Sequence, residues 1–150
     1  MAHTYTSQLL HCVFSTKGRH PQIKPRLRPR LHAYLGGIAR EHGAKALGIG
    51  GVEDHVHILL SLPPVLALAK AMQLIKGWSS IWVHESFPEL RDFAWQEGYG
   101  AFSVGVVQIE TTLEYIANQE VHHRKLSFQD EFRAFLKKHG IEWDERYVWG

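Results

Sequence analysis

Two pairs of residues in this chain have the types and spacing for chemistry: His55 and His57, separated by Val56, and Tyr115 and Gln119, four residues apart. In an extended strand, side chains at i and i+2 leave the same face, so the two imidazoles would stand side by side. Such a pair is half of a divalent-metal site. In a helix, Tyr115 and Gln119 lie one turn apart, so a phenol and an amide oxygen can reach a common point. A metal that polarises a phosphate, beside a tyrosine that attacks it, is a constellation for breaking a DNA strand. Taking 100° per residue, Asn118 and His122 also fall near the Tyr115 face, and either could replace or join Gln119 at that point. On the same projection His123 and Arg124 face solvent or phosphate.

Charge points to a polyanion. Before Glu41, the first acidic residue, stand Lys17, Arg19, Lys24, Arg26, Arg28, Arg30 and Arg40, a block of +7; the other 10 basic and 15 acidic residues sum to −5. Of this block, Lys17, Arg19, Arg26, Arg28 and Arg30 are the candidate DNA contacts. With 150 residues, 45% of them hydrophobic, the chain suffices for one domain with a full core, so residues 1–150 read as a single domain. No apolar run approaches the roughly 20 residues of a membrane span, and no signal-peptide pattern is visible. The single cysteine, Cys12, lies in an apolar run and reads as a small core residue, consistent with a cytoplasmic location.

The elements that must position these residues follow from patterning. Thr6–Phe14 is rich in apolar and β-branched residues and predicts a strand. A basic, proline-punctuated loop leads into a helix over about Arg26–His42, with Gly43 at the C-cap. Ala44–Val52 and His55–Leu62 predict a hairpin whose second strand carries the histidines. A long helix should start at Pro63-Pro64 with the stripe Val65, Leu68, Met72, Ile75 and Ser79. Phe93–Val104 predicts another strand or hairpin, and Gly105 opens the helix bearing Tyr115, with Ile109, Leu113 and Ile116 on its core face. A last helix begins at Ser127, with a capping box to Asp130 and the stripe Phe128, Phe132, Phe135 and Leu136. The order β-α-β-β-α-β predicts an α+β, ferredoxin-like (split βαβ) antiparallel sheet with helices packed on one face, followed by C-terminal helices.

Three segments carry a resemblance: Asp54 to Leu59, Gly98 to Val104 and Tyr115 to Gln119. They are similar to the motifs of the single-tyrosine HUH transposases, the TnpA-type enzymes of the insertion-sequence-200/605 family. The resemblance runs from about Thr4 to the aromatic tail at Tyr147 and Trp149. It implies that His55 and His57 bind a divalent metal ion, Mg²⁺ or Mn²⁺, that Tyr115 is the nucleophile, and that Gln119 is the third ligand. The activity implied is cleavage of single-stranded DNA to a 5′-phosphotyrosine and a free 3′-hydroxyl, which later reseals a strand. Subterminal DNA hairpins and a homodimer are the implied partners, and the glycines Gly98, Gly100 and Gly105 could let the tyrosine helix dock on a partner chain. Storing the bond energy in the phosphotyrosine removes any need for a nucleotide cofactor. Two other readings use the same sheet: a non-catalytic single-strand nucleic-acid binder, and a domesticated relative that processes repeated chromosomal hairpins.

Overall fold

Strict alternation along β1 (Leu9–Ser15) divides the molecule into two halves: Cys12 and Phe14 enter one apolar core, whereas Val13 enters another on the opposite face. The computed structural model describes residues 3–150. Strands β2 (Lys45–Gly51), β3 (His55–Ser61) and β4 (Gly100–Ser103) join β1 in one antiparallel sheet of order β2-β3-β1-β4. That order and connectivity are those of the split βαβ sandwich.

Helices α1 (Arg28–Glu41) and α2 (Leu68–Ser86) cover the first face. Leu31, Leu35 and Ile38 of α1, with Met72, Ile75 and Val83 of α2, close on Val56, Ile58 and Leu60 of β3. Pro29 in the first turn of α1 costs no hydrogen bond, because that N–H would lack an intrahelical partner anyway. Gly43 follows α1 at φ +82°, the left-handed conformation expected of a helix C-terminal glycine. The opposite face is covered by α5 (Phe128–Lys138), whose Phe128, Phe132 and Leu136 pack on Val13 and Phe102. Ser127 caps α5 by accepting the Asp130 N–H at 3.2 Å.

The boundaries differ from the sequence expectation in three places. Helix α2 begins at Leu68, and Val65 is 91% exposed, because the chain makes a turn after the two prolines before entering the helix. Only Gly100–Ser103 of the segment expected as a strand pairs with β1, while Trp95 makes a lone bridge to Thr16. The Trp95 ring is drawn into the core against Phe14, and its Nε1 donates to Ser79 Oγ at 2.9 Å, which ends the ladder. The tyrosine helix also breaks: α3 (Ile109–Ala117) stops, Asn118 leaves helical geometry (φ −102°, ψ 26°), and the short α4 (Gln119–His122) follows.

Helix α3 docks on its own sheet because β2 has no side chains in its path. A Cβ on Gly50 would lie 2.1 Å from the Ile116 carbonyl oxygen, and one on Gly48 would lie 2.4 Å from Leu113 Cδ2. Both glycines share the sheet face of His57 and Leu59, to which they are paired. Gly50→Ala should therefore be the more damaging change, because its neighbour is backbone, whereas the Leu113 side chain can swing aside. Overpacking of this kind costs about 1–3 kcal/mol. Chemical denaturation should rank Gly50→Ala below Gly48→Ala, and equal midpoints would show that α3 does not bear on Gly50.

Candidate active site

His55 and His57 project from β3 toward α5 and are both fully buried. Each has its Nδ1 committed to a neighbour. His55 Nδ1 lies 2.7 Å from Asp54 Oδ1, which can only accept, so that nitrogen carries the proton and Nε2 presents its lone pair. His57 Nδ1 lies 2.7 Å from Nε2 of His11, its diagonal neighbour on β1, two residues before the Val13 that pairs with it. The two Nε2 atoms turn toward Glu131 of α5: His57 Nε2 is 2.9 Å from Oε1, and His55 Nε2 is 3.6 Å from the same oxygen. Gln119 donates through Nε2 to the Tyr115 carbonyl at 3.1 Å, which fixes its amide and leaves Oε1 3.2 Å from His55 Nε2.

Acceptors therefore meet acceptors at the centre of this cluster. A lone pair on His55, an amide oxygen and a carboxylate converge without a proton that the Asp54-fixed tautomer could share. His123 adds a fourth group: its Nε2 is buried 3.2 Å from Glu131 Oε2 but is not aligned for a hydrogen bond, leaving it orphaned. Donor atoms of His55, His57, His123 and Glu131 all lie within 4.8 Å of one another. Three imidazoles, a carboxylate and a nearby amide oxygen are the donor set of a divalent transition-type cation, and such a cation would resolve the conflict. Asp54 and His11 would orient the ligating rings from behind.

Tyr115 stands at the edge of the cluster. Its hydroxyl donates to Glu131 Oε2, its ring stacks on His122 at 4.5 Å, and its centroid is 5.8 Å from that of His57. Burial first, then the Glu131 carboxylate, raises its pKa and holds the phenol protonated. Burial alone would raise Glu131, but the neighbouring His123 and His57 imidazoles outweigh it and keep the carboxylate ionised.

The sequence missed Glu131, His123 and His11. The 100° projection turns His123 toward solvent or phosphate, but α3 ends at Asn118, so a continuous projection does not hold beyond it. His122 stacks on the tyrosine ring, and Asn118 is exposed and donates to the Glu114 carbonyl at 2.9 Å, so neither presents a ligand atom to the cluster. One signal for Glu131 was available: it sits three residues after Phe128 and one before Phe132, an acid inside an apolar stripe.

Part of the basic block is paired within the chain. Arg26 pairs with Glu89, and Arg30 lies over Phe87 at 4.9 Å. Arg28, its side chain only 14% exposed, pairs with Glu120 at 2.9 Å and so ties α1 to α4. Lys17 and Arg19 form a single turn after β1, where the Arg19 guanidinium lies over Trp149 at 5.6 Å. Two cavities flank the cluster. One, of about 400 Å³, is lined by Arg28, Asp54, Glu120, His123 and Arg124; the other, of about 390 Å³, opens on the Tyr115 side between α3, β4 and α5.

The buried imidazoles make the fold acid-sensitive. Burial pushes His57 down to about 4, and burial followed by the neighbouring His57 pushes His11 down to about 3. The unfolded chain titrates these groups near 6.5, so between about pH 6.5 and 4 it binds more protons than the folded one, and stability falls as pH is lowered through that window. His57 alone contributes on the order of 3 kcal/mol at neutral pH. His123 opposes this, because its carboxylate partner raises its pKa against its own burial. Burial also lowers His32 to about 4, so three imidazoles are lowered and one raised, and the urea midpoint measured in chelator should fall between pH 7 and pH 5; a flat profile would contradict the burial argument.

The comparisons with known proteins agree with this architecture. Residues 4–119 match the family model described as transposase IS200 like. A transposase for insertion sequence element IS200 from Salmonella typhimurium is 30% identical over 111 residues, covering 70% of this chain and 72% of that protein. The ISDra2 transposase TnpA of Deinococcus radiodurans is 29% identical over 92 residues, covering 61% and 66%. Among solved structures, a crystal structure of a Deinococcus radiodurans R1 chain assigned as a transposase superposes with a TM-score of 0.66 at 22% identity, covering 78% of this chain and 96% of that one. A REP-associated tyrosine transposase bound to a REP hairpin gives a TM-score of 0.61 at 15% identity, covering 82% and 73%. The chain belongs to the IS200-like transposase family.

Proposed function

We propose that this transposase cleaves and rejoins single-stranded DNA at hairpin-bearing ends through Tyr115, with a divalent cation held by His55, His57 and Glu131 and completed by Gln119 or His123. The observation that carries the reading is the shared carboxylate: Glu131 takes hydrogen bonds from both Tyr115 and His57, so the nucleophile sits against the metal-ligand cluster. Bound there, a Mg²⁺ or Mn²⁺ ion supplies Lewis-acid polarisation of a phosphate oxygen and neutralises its charge.

The chain's own residues do the rest. Tyr115 Oη bonds to phosphorus as the phosphorus–O3′ bond breaks. The phenol proton passes to Glu131, its hydrogen-bond partner, and the leaving 3′ oxygen acquires a proton to become a hydroxyl. Rejoining reverses the same bonds, so no nucleotide is consumed. Among the candidate phosphate contacts, Lys17 and Arg19 have no carboxylate partner among the ion pairs of the described residues, whereas Arg26 and Arg28 would have to exchange Glu89 and Glu120 for phosphate.

The site is complete within one chain in this proposal. Docking of α3 over Gly48 and Gly50 brings Tyr115 to the histidines of its own sheet, so the homodimer expected from the family resemblance would pair two self-sufficient sites. Mixing His57→Ala with Tyr115→Phe protein should restore no cleavage. Recovery of activity would mean instead that α3 exchanges between chains. The function itself is tested by incubating the protein and Mn²⁺ with single-stranded DNA from the flanks of its gene. A covalent adduct mapping to Tyr115 is expected, and hairpin binding without an adduct would favour the non-catalytic binder. That binder reading already has to contend with a sheet covered on both faces, which leaves no open platform for stacking bases.

A further inference from the structure

We propose that the cavity on the Tyr115 side seats one unstacked nucleobase, that of the nucleotide immediately 3′ of the broken bond, and that Phe135, Gln108 and Thr112 select it. The proposal rests on Tyr115 being the nucleophile and adds a substrate subsite to that reading. After cleavage Tyr115 Oη would carry the 5′-phosphate of the downstream strand, so the first sugar and base of that strand must lie within one nucleotide of this hydroxyl. Glu131 and His122 occupy two sides of the tyrosine. The remaining open side is the cavity of about 390 Å³ that Tyr115 itself lines, together with His11, Phe102, Gln108, Thr112 and Phe135. Tyr115 does not line the cavity on the His123 side, whose walls carry the charged side chains of Arg28, Glu53, Asp54, Glu120 and Arg124.

The walls suit a base. Phe135 lies parallel to Phe102 at 5.2 Å (17°), and Phe102 lies parallel to His139 at 4.9 Å (27°), a ladder of flat rings along one side. Phe135 is only half-buried, and it meets Tyr115 edge-on at 5.7 Å, so its ring borders both the hydroxyl's surroundings and the cavity. Aromatic faces of this kind hold single-stranded bases by stacking. The opposite wall, from the start of α3, is polar. Gln108 commits its side-chain oxygen to the Gly105 N–H at 3.0 Å, so its amide group has two donors left for a ligand. Lys138, also on the cavity wall, can only donate. A donor-rich wall complements the carbonyl oxygens of thymine or guanine better than the amino edge of adenine. The volume falls in the range of pockets for small ligands.

The test uses one cleavable oligonucleotide with a single position varied. With the wild-type protein, an abasic site 3′ of the break should slow adduct formation about 10- to 100-fold, the scale of one lost base stack. An abasic site 5′ of the break should slow it much less, and thymine at the 3′ position should react faster than adenine. In Gln108→Ala,Thr112→Val protein, with folding checked by circular dichroism, the thymine-to-adenine ratio should move toward one. An unmodified oligonucleotide that forms no adduct overturns the transposase reading and this subsite together. A normal adduct with no 3′ abasic penalty, or with an equal penalty on the 5′ side, overturns the subsite alone.

Discussion

Tyr115→Phe should abolish covalent capture of single-stranded DNA, a loss of at least ~10³-fold, while leaving DNA affinity within about a factor of two. The size follows from the role: removing a nucleophile eliminates the bond-forming atom, and the surviving groups supply only binding and electrostatics. The small effect on binding and stability follows from the surroundings. The ring keeps its stack on His122 and its edge contact with Phe135, so no cavity opens. Glu131 loses one donor but keeps its hydrogen bond to His57 at 2.9 Å, so the buried carboxylate is not stranded. Denaturing electrophoresis of protein mixed with labelled DNA reads the adduct, and an anisotropy titration reads affinity. A surviving adduct in this variant, whether on Tyr99, Tyr147 or elsewhere, would remove Tyr115 from the chemistry.

Much of this arrangement was legible in the sequence because it rests on short-range periodicity. The two-residue period places His55 and His57 on one face of β3 without further information, and the α5 stripe marks the face that covers them. The β-α-β-β-α-β order likewise leads to the β2-β3-β1-β4 sheet with few alternatives. What could not be read depends on contacts between distant segments. His11 meets His57 only because β1 and β3 pair in the register that sets Val13 opposite His57. His123 turns inward only because the helix breaks at Asn118, a residue with no proline or glycine to announce a break. In the sequence the glycines of β2 read simply as part of a strand, and their purpose becomes visible only when α3 lies across them. The sequence shows the +7 of the charge block but not its partners: long-range ion pairs to Glu89 and Glu120 neutralise part of it locally.

Glu131→Gln should weaken Mn²⁺ binding by about 100-fold or more and stop cleavage. Gln119→Ala should cost less, about 10-fold, because it removes a neutral amide oxygen rather than a charge. Glu131 is the one anionic ligand atom source among three imidazoles, and it is 2% exposed. In that setting a full negative charge interacts with a divalent cation far more strongly than a dipole does. Replacing it with an isosteric amide keeps the volume, so the comparison isolates charge. The same variant should lose about 1–3 kcal/mol of stability in chelator, because an imidazole nitrogen of His57 is left facing a weaker partner in a buried site. That loss has a pH signature with a definite sign. The folded-state pKa of Glu131 is depressed, so its contribution is fully present above the ordinary carboxylate value and is lost as pH falls from there toward the depressed one. The gap between wild type and variant should therefore be constant above about pH 4.5 and narrow as pH falls below it. Calorimetric titration with Mn²⁺ gives the metal affinity, and urea unfolding in chelator gives the stability. If Glu131→Gln binds Mn²⁺ as tightly as wild type while Gln119→Ala does not, the ligand set is the two histidines and the amide. Glu131 would then be only the hydrogen-bond partner that holds Tyr115 and His57 in place.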